Sequence, residues 1–147
     1  MNRSVLLAVA LMIAVSTTCA APAGSGKSSQ GSKRAAQKKQ DGPLSGSQLE
    51  KCLQSRKPTM ADFGRGWCKP CKAMVPVLKQ AAQDYRGKAN IVFVEMGEYE
   101  KLAHQYRIAF MPTQIFFDAK GKEAARHIGY LDNKGINEQF AKMGVKK

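Results

Sequence analysis

The residues with the clearest chemical potential are two cysteines separated by two positions, in the run Trp-Cys-Lys-Pro-Cys at residues 67–71. The run lies where a predicted strand ends and a long predicted helix begins. A cysteine at a helix N-terminus faces unpaired backbone N–H groups and the positive end of the helix dipole, and both stabilise a thiolate. The pattern therefore predicts a nucleophilic Cys68 and a resolving Cys71 one turn further on, with Pro70 stiffening the turn between them.

Other chemistries fit the surrounding residues less well. Zinc requires four ligands, and the sequence has no second Cys pair or Cys-His cluster, so no metal is expected. Haem attachment requires His directly after the second cysteine, where Lys72 stands. A structural disulfide and a Cu(I) site stay open. The strand-to-helix position and the positive charge of Arg65, Lys69 and Lys72 favour thiol–disulfide exchange.

The elements that must position the pair follow from hydrophobic periodicity, which predicts the order α, β, α, β, α, β, β, α. The first helix has the spacing of a capping box from Ser47 to Glu50, and Pro76 should kink the second. The later elements are predicted at residues 58–63, 68–85, 91–94, 98–106, 113–117 and 123–128, before a last helix capped by Asp132 or Asn133. This order predicts an α/β fold with a mixed central β-sheet flanked by helices.

Length and composition allow one ordinary domain. The chain has 147 residues, 44% of them hydrophobic, and a net charge of +13, which excludes collagen-like, toxin-like and acidic disordered chains. Residues 44–147 contain 18 basic and 10 acidic residues, so this part of the chain is basic without a block of like charge. We expect no nucleic-acid partner, because an exported protein would rarely meet nucleic acid, and the first 43 residues predict export.

The first 43 residues predict export. Residues 1–20 combine Arg3, an apolar run and small residues, which is typical of a signal peptide. An uncleaved membrane anchor, or a lipid on Cys19, stays open as an alternative. Residues 21–43 are rich in Ser, Gly, Gln and Lys and predict a flexible basic linker. Its more specific alternative role is weak binding to anionic lipid headgroups. Residues 44–147 should then form the functional domain, exported to the periplasm.

With these features in place, the sequence resembles the thioredoxin family over residues 44–144. The resemblance rests on an Asp-Phe pair six residues before the first cysteine, a proline five residues after the second, a Met-Pro-Thr loop and two glycines: Asp62, Phe63, Pro76, Met111, Pro112, Thr113, Gly121 and Gly129. A lone Cys-x-x-Cys is a weak signal, but these positions in register make it a strong one. The fold it implies is the thioredoxin fold.

The resemblance also implies a role for each site residue. Cys68 attacks a substrate disulfide, Cys71 releases the product, and Asp62 handles the Cys71 proton through buried water. Burial should raise the pKa of Asp62, which suits a general base near neutral pH. Trp67 should pack beside the cysteines, although a core aromatic residue would give the same sequence signal.

The substrate groove is implied in the same way. Pro112 belongs to the loop whose proline is cis in the family, and it should hold extended substrate backbone beside the sulfurs, with Met111, Thr113 and Gly129 around it.

Three departures from the family pattern affect the chemistry. Lys69 replaces the glycine of thioredoxin itself, and its charge should make the disulfide more oxidising. Gly64 replaces a second tryptophan, and Phe93 replaces a buried lysine near the aspartate. Cys52 is expected to be a buried thiol, with regulatory or intermolecular pairing as the alternative.

The predicted activity is that of a thioredoxin-like protein-disulfide reductase with no cofactor beyond the redox-active Cys68–Cys71 pair. Its expected partners are proteins with disulfides or thiols and a membrane electron donor that recharges it. A disulfide oxidase or isomerase of the same fold, and a non-catalytic binding or Cu(I)-handling module, are the alternatives.

Overall fold

The computed structural model describes residues 42–147, so the predicted signal peptide and most of the predicted linker lie outside the described residues. Ten elements follow in chain order: strand β1 (Leu44–Ser45), a 3-10 turn (Gly46–Gln48), α1 (Leu49–Gln54), β2 (Thr59–Gly64), α2 (Lys69–Asp84), β3 (Asn90–Glu95), α3 (Glu100–Gln105), β4 (Thr113–Phe117), β5 (Glu123–Ile128) and α4 (Asn133–Lys142). None of the helices in residues 42–147 is both long and apolar enough to cross a membrane.

The five strands form one mixed sheet in the order β1-β3-β2-β4-β5. Strand β2 lies in the middle, parallel to β3 and antiparallel to β4, and β5 completes a hairpin with β4. The hairpin turn is held by Asp118, whose carboxylate accepts the backbone N–H groups of Lys120 and Lys122 at 2.8 and 2.9 Å. Gly121 supplies the left-handed residue of the turn, with φ at 76°. The prediction of a mixed central sheet flanked by helices is confirmed.

The sheet has two buried faces, as the period of two along each strand requires. On the face that we call the α1 face, Ala61, Phe63, Val92, Val94, Ile115 and Phe117 pack with Leu49 and Cys52 of α1. On the opposite, α2 face, Met60, Ile91 and Phe116 pack against α2 and against Ile136 and Phe140 of α4. The alternation of side chains along the strands therefore gives a hydrophobic core on both sides of β2.

The start of the domain differs from the sequence-based prediction. The capping box begins two residues early, because the Ser45 N–H donates to Gln48 Oε1 at 3.3 Å and a 3-10 turn precedes α1. Ser47 and Glu50 therefore do not form the predicted box. Strand β1 was not predicted, since two residues paired to β3 are too short to show a period.

Candidate active site

The two cysteines lie at the N-terminus of α2 and form a disulfide, with their Cα atoms 5.2 Å apart. Cys68 is the N-cap residue in extended conformation, and its Sγ accepts the backbone N–H of Cys71 at 3.3 Å. Pro70 occupies the first turn of the helix, where a backbone N–H has no intrahelical acceptor. The sequence thus begins the helix at the cysteine pair and points an N–H group at the first sulfur.

The two sulfurs differ in their exposure to solvent. Cys68 retains 7% of its surface and Cys71 only 2%, so Cys68 is the sulfur that a substrate reaches first. Trp67, just before it, is 69% exposed, and the Arg65 guanidinium lies 6.0 Å from the centre of its ring. The alternative of a core aromatic residue is wrong for Trp67.

Cys71 packs directly on the end of strand β2. A Cβ atom on Gly64 would lie 3.2 Å from the Cβ and 3.3 Å from the Sγ of Cys71, and 3.2 Å from Cε2 of Phe93. Such approaches are tighter than ordinary van der Waals contact, so a larger residue at 64 would displace the cysteine or the ring. The absence of a side chain at Gly64 lets the Cys71 sulfur lie against the sheet.

Asp62 lies two residues before Gly64 and on the same face of β2. Its side chain is fully buried, and its Oδ1 accepts the side-chain N–H of Gln114 at 2.7 Å, whereas its Oδ2 has no hydrogen-bond partner. Burial raises the pKa of Asp62 to about 6, and the Gln114 hydrogen bond opposes that shift. The predicted burial and pKa direction are confirmed, whereas the proton-handling role stays a prediction.

The Met111-Pro112-Thr113 loop enters β4 beside the disulfide. The Met111–Pro112 peptide bond is cis. Because Phe63 pairs with Thr113, the same antiparallel register puts Pro112 opposite Gly64, against which Cys71 packs. Thr113 Oγ1 donates to the carbonyl of Phe110 at 2.7 Å, and the Gly129 N–H donates to the carbonyl of Pro112 at 2.8 Å. The predicted groove residues therefore come together next to the cysteine pair.

Several residues that the sequence did not single out also contribute to this region. Phe110, Ile128 and Tyr130 flank the Pro112 loop in the sequence and across the β4–β5 pairing, and they are 67%, 58% and 50% exposed. Glu95, at the end of β3, accepts the N–H of Gly66 at 2.9 Å and thereby fixes the segment before Trp67. The signal for the first three was available, because apolar residues on both sides of a predicted groove indicate a contact surface.

Other candidate residues lie outside the site. Cys52 is a buried, free thiol on α1, as predicted, and burial raises its pKa. His104 is exposed on α3, and the His127 ring lies 3.2 Å from the carbonyl oxygen of Tyr130. Within residues 42–147, no three Cys, His, Asp or Glu side chains are grouped as a metal site requires.

Comparison with known proteins assigns the chain to a family. The thioredoxin family model matches residues 42–142. Thioredoxin C-2 of Corynebacterium nephridii is 38% identical over 77 residues, which are 52% of this chain and 70% of that protein. The thioredoxin of Alicyclobacillus acidocaldarius is 30% identical over 98 residues, covering 67% of this chain and 92% of the relative.

Solved structures agree. Chloroplastic thioredoxin z has a TM-score of 0.61 at 29% identity, covering 70% of this chain and 93% of its own. A mutant thioredoxin from Halobacterium salinarum matches in fold alone, with a TM-score of 0.63 at 24% identity over 70% of this chain and 91% of that one.

The chain therefore belongs to the thioredoxin family. It has the thioredoxin fold, and it is an enzyme of the thioredoxin-like, thiol–disulfide oxidoreductase type. Members of this family exchange disulfides through their own cysteines without a cofactor, and the Cys68–Cys71 disulfide fits such a site.

Proposed function

We propose that the protein reduces disulfide bonds of other proteins outside the cytoplasm, using its Cys-Lys-Pro-Cys pair. The observation that carries this proposal is the Cys68–Cys71 disulfide at the N-terminus of α2, bordered by exposed apolar side chains. A helix N-terminus stabilises the thiolate that exchange requires, and the apolar border suits a polypeptide substrate.

The proposed reaction consists of two exchanges. The Cys68 thiolate attacks one sulfur of the client disulfide, forming a mixed disulfide, and the other client sulfur leaves as a thiolate. Cys71 then loses its proton and attacks Cys68, and the first client sulfur leaves as a thiolate in turn. The client gains two electrons, and the enzyme ends with the Cys68–Cys71 disulfide.

Asp62 is the group that we propose to accept the Cys71 proton. It lies on the same face of β2 as Gly64, against which Cys71 packs, and its pKa of about 6 leaves it mostly ionised at neutral pH. A base with a pKa near the working pH is the more effective one in proton transfer.

The client segment is proposed to lie over the cis-proline loop. Four exposed apolar residues form what we call the client patch: Trp67, Phe110, Ile128 and Tyr130. Phe110 lies two residues before Pro112, Ile128 and Tyr130 flank Gly129 in the sequence, and Trp67 directly precedes Cys68. An extended segment laid along Met111 and Pro112 would bring its disulfide to Cys68 and its apolar side chains to the patch.

Export and recharging complete the proposal. The signal peptide predicted at residues 1–20 supports a periplasmic reaction, and uncleaved or lipid-anchored forms would keep the domain at the membrane. Each turnover leaves the enzyme oxidised, so a membrane dithiol donor must return two electrons. The basic linker would hold the domain near anionic lipid through Lys27, Lys33, Arg34, Lys38 and Lys39.

A disulfide oxidase or isomerase is the second candidate, and the basic residues at the site favour it. Lys69 and Lys72 lie in the first turn of α2 and Arg65 precedes Trp67, so three cationic residues lie within four sequence positions of Cys68. Positive charge stabilises the reduced thiolate and makes the disulfide more oxidising. The direction of exchange therefore depends on the reduction potential.

Trapping tests the exchange itself. The Cys71→Ser variant, reduced and mixed with a disulfide-containing protein, should accumulate a mixed disulfide through Cys68, seen as a higher-mass species that dithiothreitol removes. The matched control is the double variant Cys68→Ser with Cys71→Ser, which should trap nothing. A Cys71→Ser variant that also traps nothing would contradict the proposal and favour a non-catalytic binding module.

The client patch has its own test. Phe110→Ala and Tyr130→Ala should lower kcat/KM for a protein disulfide several-fold, because each removes exposed apolar contact surface. The rate with a small disulfide such as oxidised glutathione should change less than twofold. Equal losses with both substrates would contradict docking on the patch.

A further inference from the structure

Within the part of the chain that the structure describes, Gln114 is the one buried amide side chain that is hydrogen-bonded to the site carboxylate. Gln114 and Asp62 are directly opposed in the β2–β4 register, both are fully buried, and the Gln114 N–H donates to Asp62 Oδ1 at 2.7 Å. A hydrogen bond to a carboxylate in a low-dielectric interior is stronger than one between neutral groups. A glutamine in the middle of an apolar strand is costly to bury, and its Oε1 has no partner.

Among residues 42–147, no cation shifts the pKa of Asp62 from the side opposite Gln114. Its register partner on β3 is Phe93, whose ring lies against the Gly64 position beside Cys71. The carboxylate is thus bordered by an aromatic ring on one strand and by an amide donor on the other. Within the described residues, burial and the Gln114 hydrogen bond are the two influences that shift the pKa of Asp62.

We propose that Gln114 is a positioning residue, which holds the Asp62 carboxylate ionised and oriented beside Cys71 by donating its side-chain N–H to Oδ1. The proposal rests on the proposed function, in which Asp62 accepts the Cys71 proton. Gln114 touches no reacting atom and acts through Asp62. Because the neutral Gln114 N–H group takes the place of a cation, the Asp62 carboxylate keeps its negative charge without forming an ion pair.

Other titratable groups face the same region and must be separated from Asp62 in any titration. They are Cys71 of α2, Tyr85 at the C-cap of α2, Glu95 of β3 and His127 of β5, whereas α4 contributes the apolar Ile136 and Phe140. Site-resolved NMR distinguishes a side-chain carboxyl carbon from thiol, phenol and imidazole signals, and Asp from Glu. The titration is best followed in the oxidised protein, where Cys71 is bonded and does not titrate.

The test is a carboxyl NMR titration of oxidised wild type and of Gln114→Met, which keeps the side-chain length and removes the donor. The titration midpoint of Asp62 should rise by about one pH unit in the variant, because the ionised carboxylate loses the hydrogen bond that stabilises it relative to the neutral acid. An unchanged or lower midpoint would overturn the proposal. If Gln114→Met does not fold, the wild-type protein still tests the proposal. Its Gln114 side-chain N–H signals must shift with pH at the same midpoint as the Asp62 carboxyl carbon, and signals that do not would overturn the proposal.

Enzyme kinetics then connects Gln114 to turnover. The acid limb of the pH–rate profile for reduction of a protein disulfide should move to higher pH by the same amount in Gln114→Met. In the Asp62→Asn background, adding Gln114→Met should not move this limb. A shift in both backgrounds would mean that Gln114 acts on stability or packing instead. The NMR midpoint is measured without any enzyme activity. It would therefore still move if Gln114 positions Asp62 as proposed but the protein does not reduce disulfides.

Discussion

The two faces of the sheet use the same strands for different purposes. On the α1 face, β2 contributes Ala61 and Phe63 to an apolar core, next to the buried Thr59. On the α2 face, the alternating positions of the same strand are Met60, Asp62 and Gly64, and the last two adjoin the active site. The α2 face therefore has less apolar burial along β2, and it contains instead a buried carboxyl group and a position against which Cys71 packs.

Each face also contains a buried cysteine that is not the nucleophile, and comparing these shows what makes a thiol reactive. Cys52 lies within α1 among apolar side chains, and burial raises its pKa. Cys71 is equally buried but lies in the first turn of α2, against a glycine and bonded to Cys68. Reactivity follows from the helix terminus and the gap in the strand, since the residue type and burial are shared.

The sharpest test of this comparison replaces one cysteine at a time. Cys68→Ala should abolish disulfide exchange, a loss of about a thousandfold or more, because no other sulfur can accept the client. Cys52→Ala should keep nearly full activity. The measurement is the rate of reduction of a protein disulfide with dithiothreitol as electron source, and substantial activity in Cys68→Ala would contradict the assignment.

The second test concerns the cost of a buried carboxylate. Folding raises the pKa of Asp62 from its ordinary value of 3.8 to about 6, so its contribution to stability is full at low pH and is lost as pH rises through that range. At pH 8, Asp62→Asn should therefore be more stable than wild type by about 2–3 kcal/mol, and near pH 4 the two should be similar. Urea unfolding of the oxidised proteins at both values measures this difference. Parallel pH dependences in the two proteins would contradict it.

The third test adds a methyl group at Gly64, the position of β2 against which Cys71 packs. Gly64→Ala should destabilise the oxidised protein by about 1–3 kcal/mol, because the new methyl group meets Cys71 and Phe93 at 3.2 Å. Gly66→Ala is the matched control on the same segment, since its nearest neighbour, a Glu95 oxygen, is 3.7 Å away. That control should stay within about 0.5 kcal/mol of wild type. Equal effects of the two substitutions in urea unfolding would show that Cys71 does not need the glycine.

The smallest expected effect distinguishes the helices that cover the two faces. Asp132 caps α4 on the α2 face by accepting the Gly135 N–H at 2.8 Å, whereas the N-cap of α1, Gln48, forms no side-chain cap bond. Asp132→Ala should cost about 1 kcal/mol in urea unfolding, and Asp132→Asn, which keeps the acceptor, much less. A neutral Asp132→Ala would mean that packing alone holds α4.

The contrast between the faces also explains what could be predicted from the sequence. Strands β4 and β5 were predicted with their observed bounds, because β4 is an apolar run and the turn residues Asp118 and Gly121 lead from it into a hairpin partner. The cysteine pair was predicted because strand and helix signals meet there, whereas Asp62 was predicted because the resemblance to the thioredoxin family implies it. The short β1 escaped prediction because its pairing to β3 is a tertiary contact.

Part of the site depends on contacts that no sequence pattern shows. Gln114 reads as one polar residue inside an apolar strand, and its significance appears only when the β2–β4 register sets it opposite Asp62. Trp67 could equally have been a core residue, and its exposure is decided by where the chain turns before α2. Local periodicity predicts elements, whereas partners across strands are set by register.

The reduction potential of the Cys68–Cys71 pair tests the central claim most directly. The domain without its first 20 residues can be equilibrated with glutathione or dithiothreitol buffers, and the reduced fraction counted by thiol alkylation and mass. A potential near about −270 mV, the value of thioredoxin, is the result that a reductase of protein disulfides requires. A value of about −120 to −180 mV would contradict the reductase assignment and identify an oxidase or isomerase.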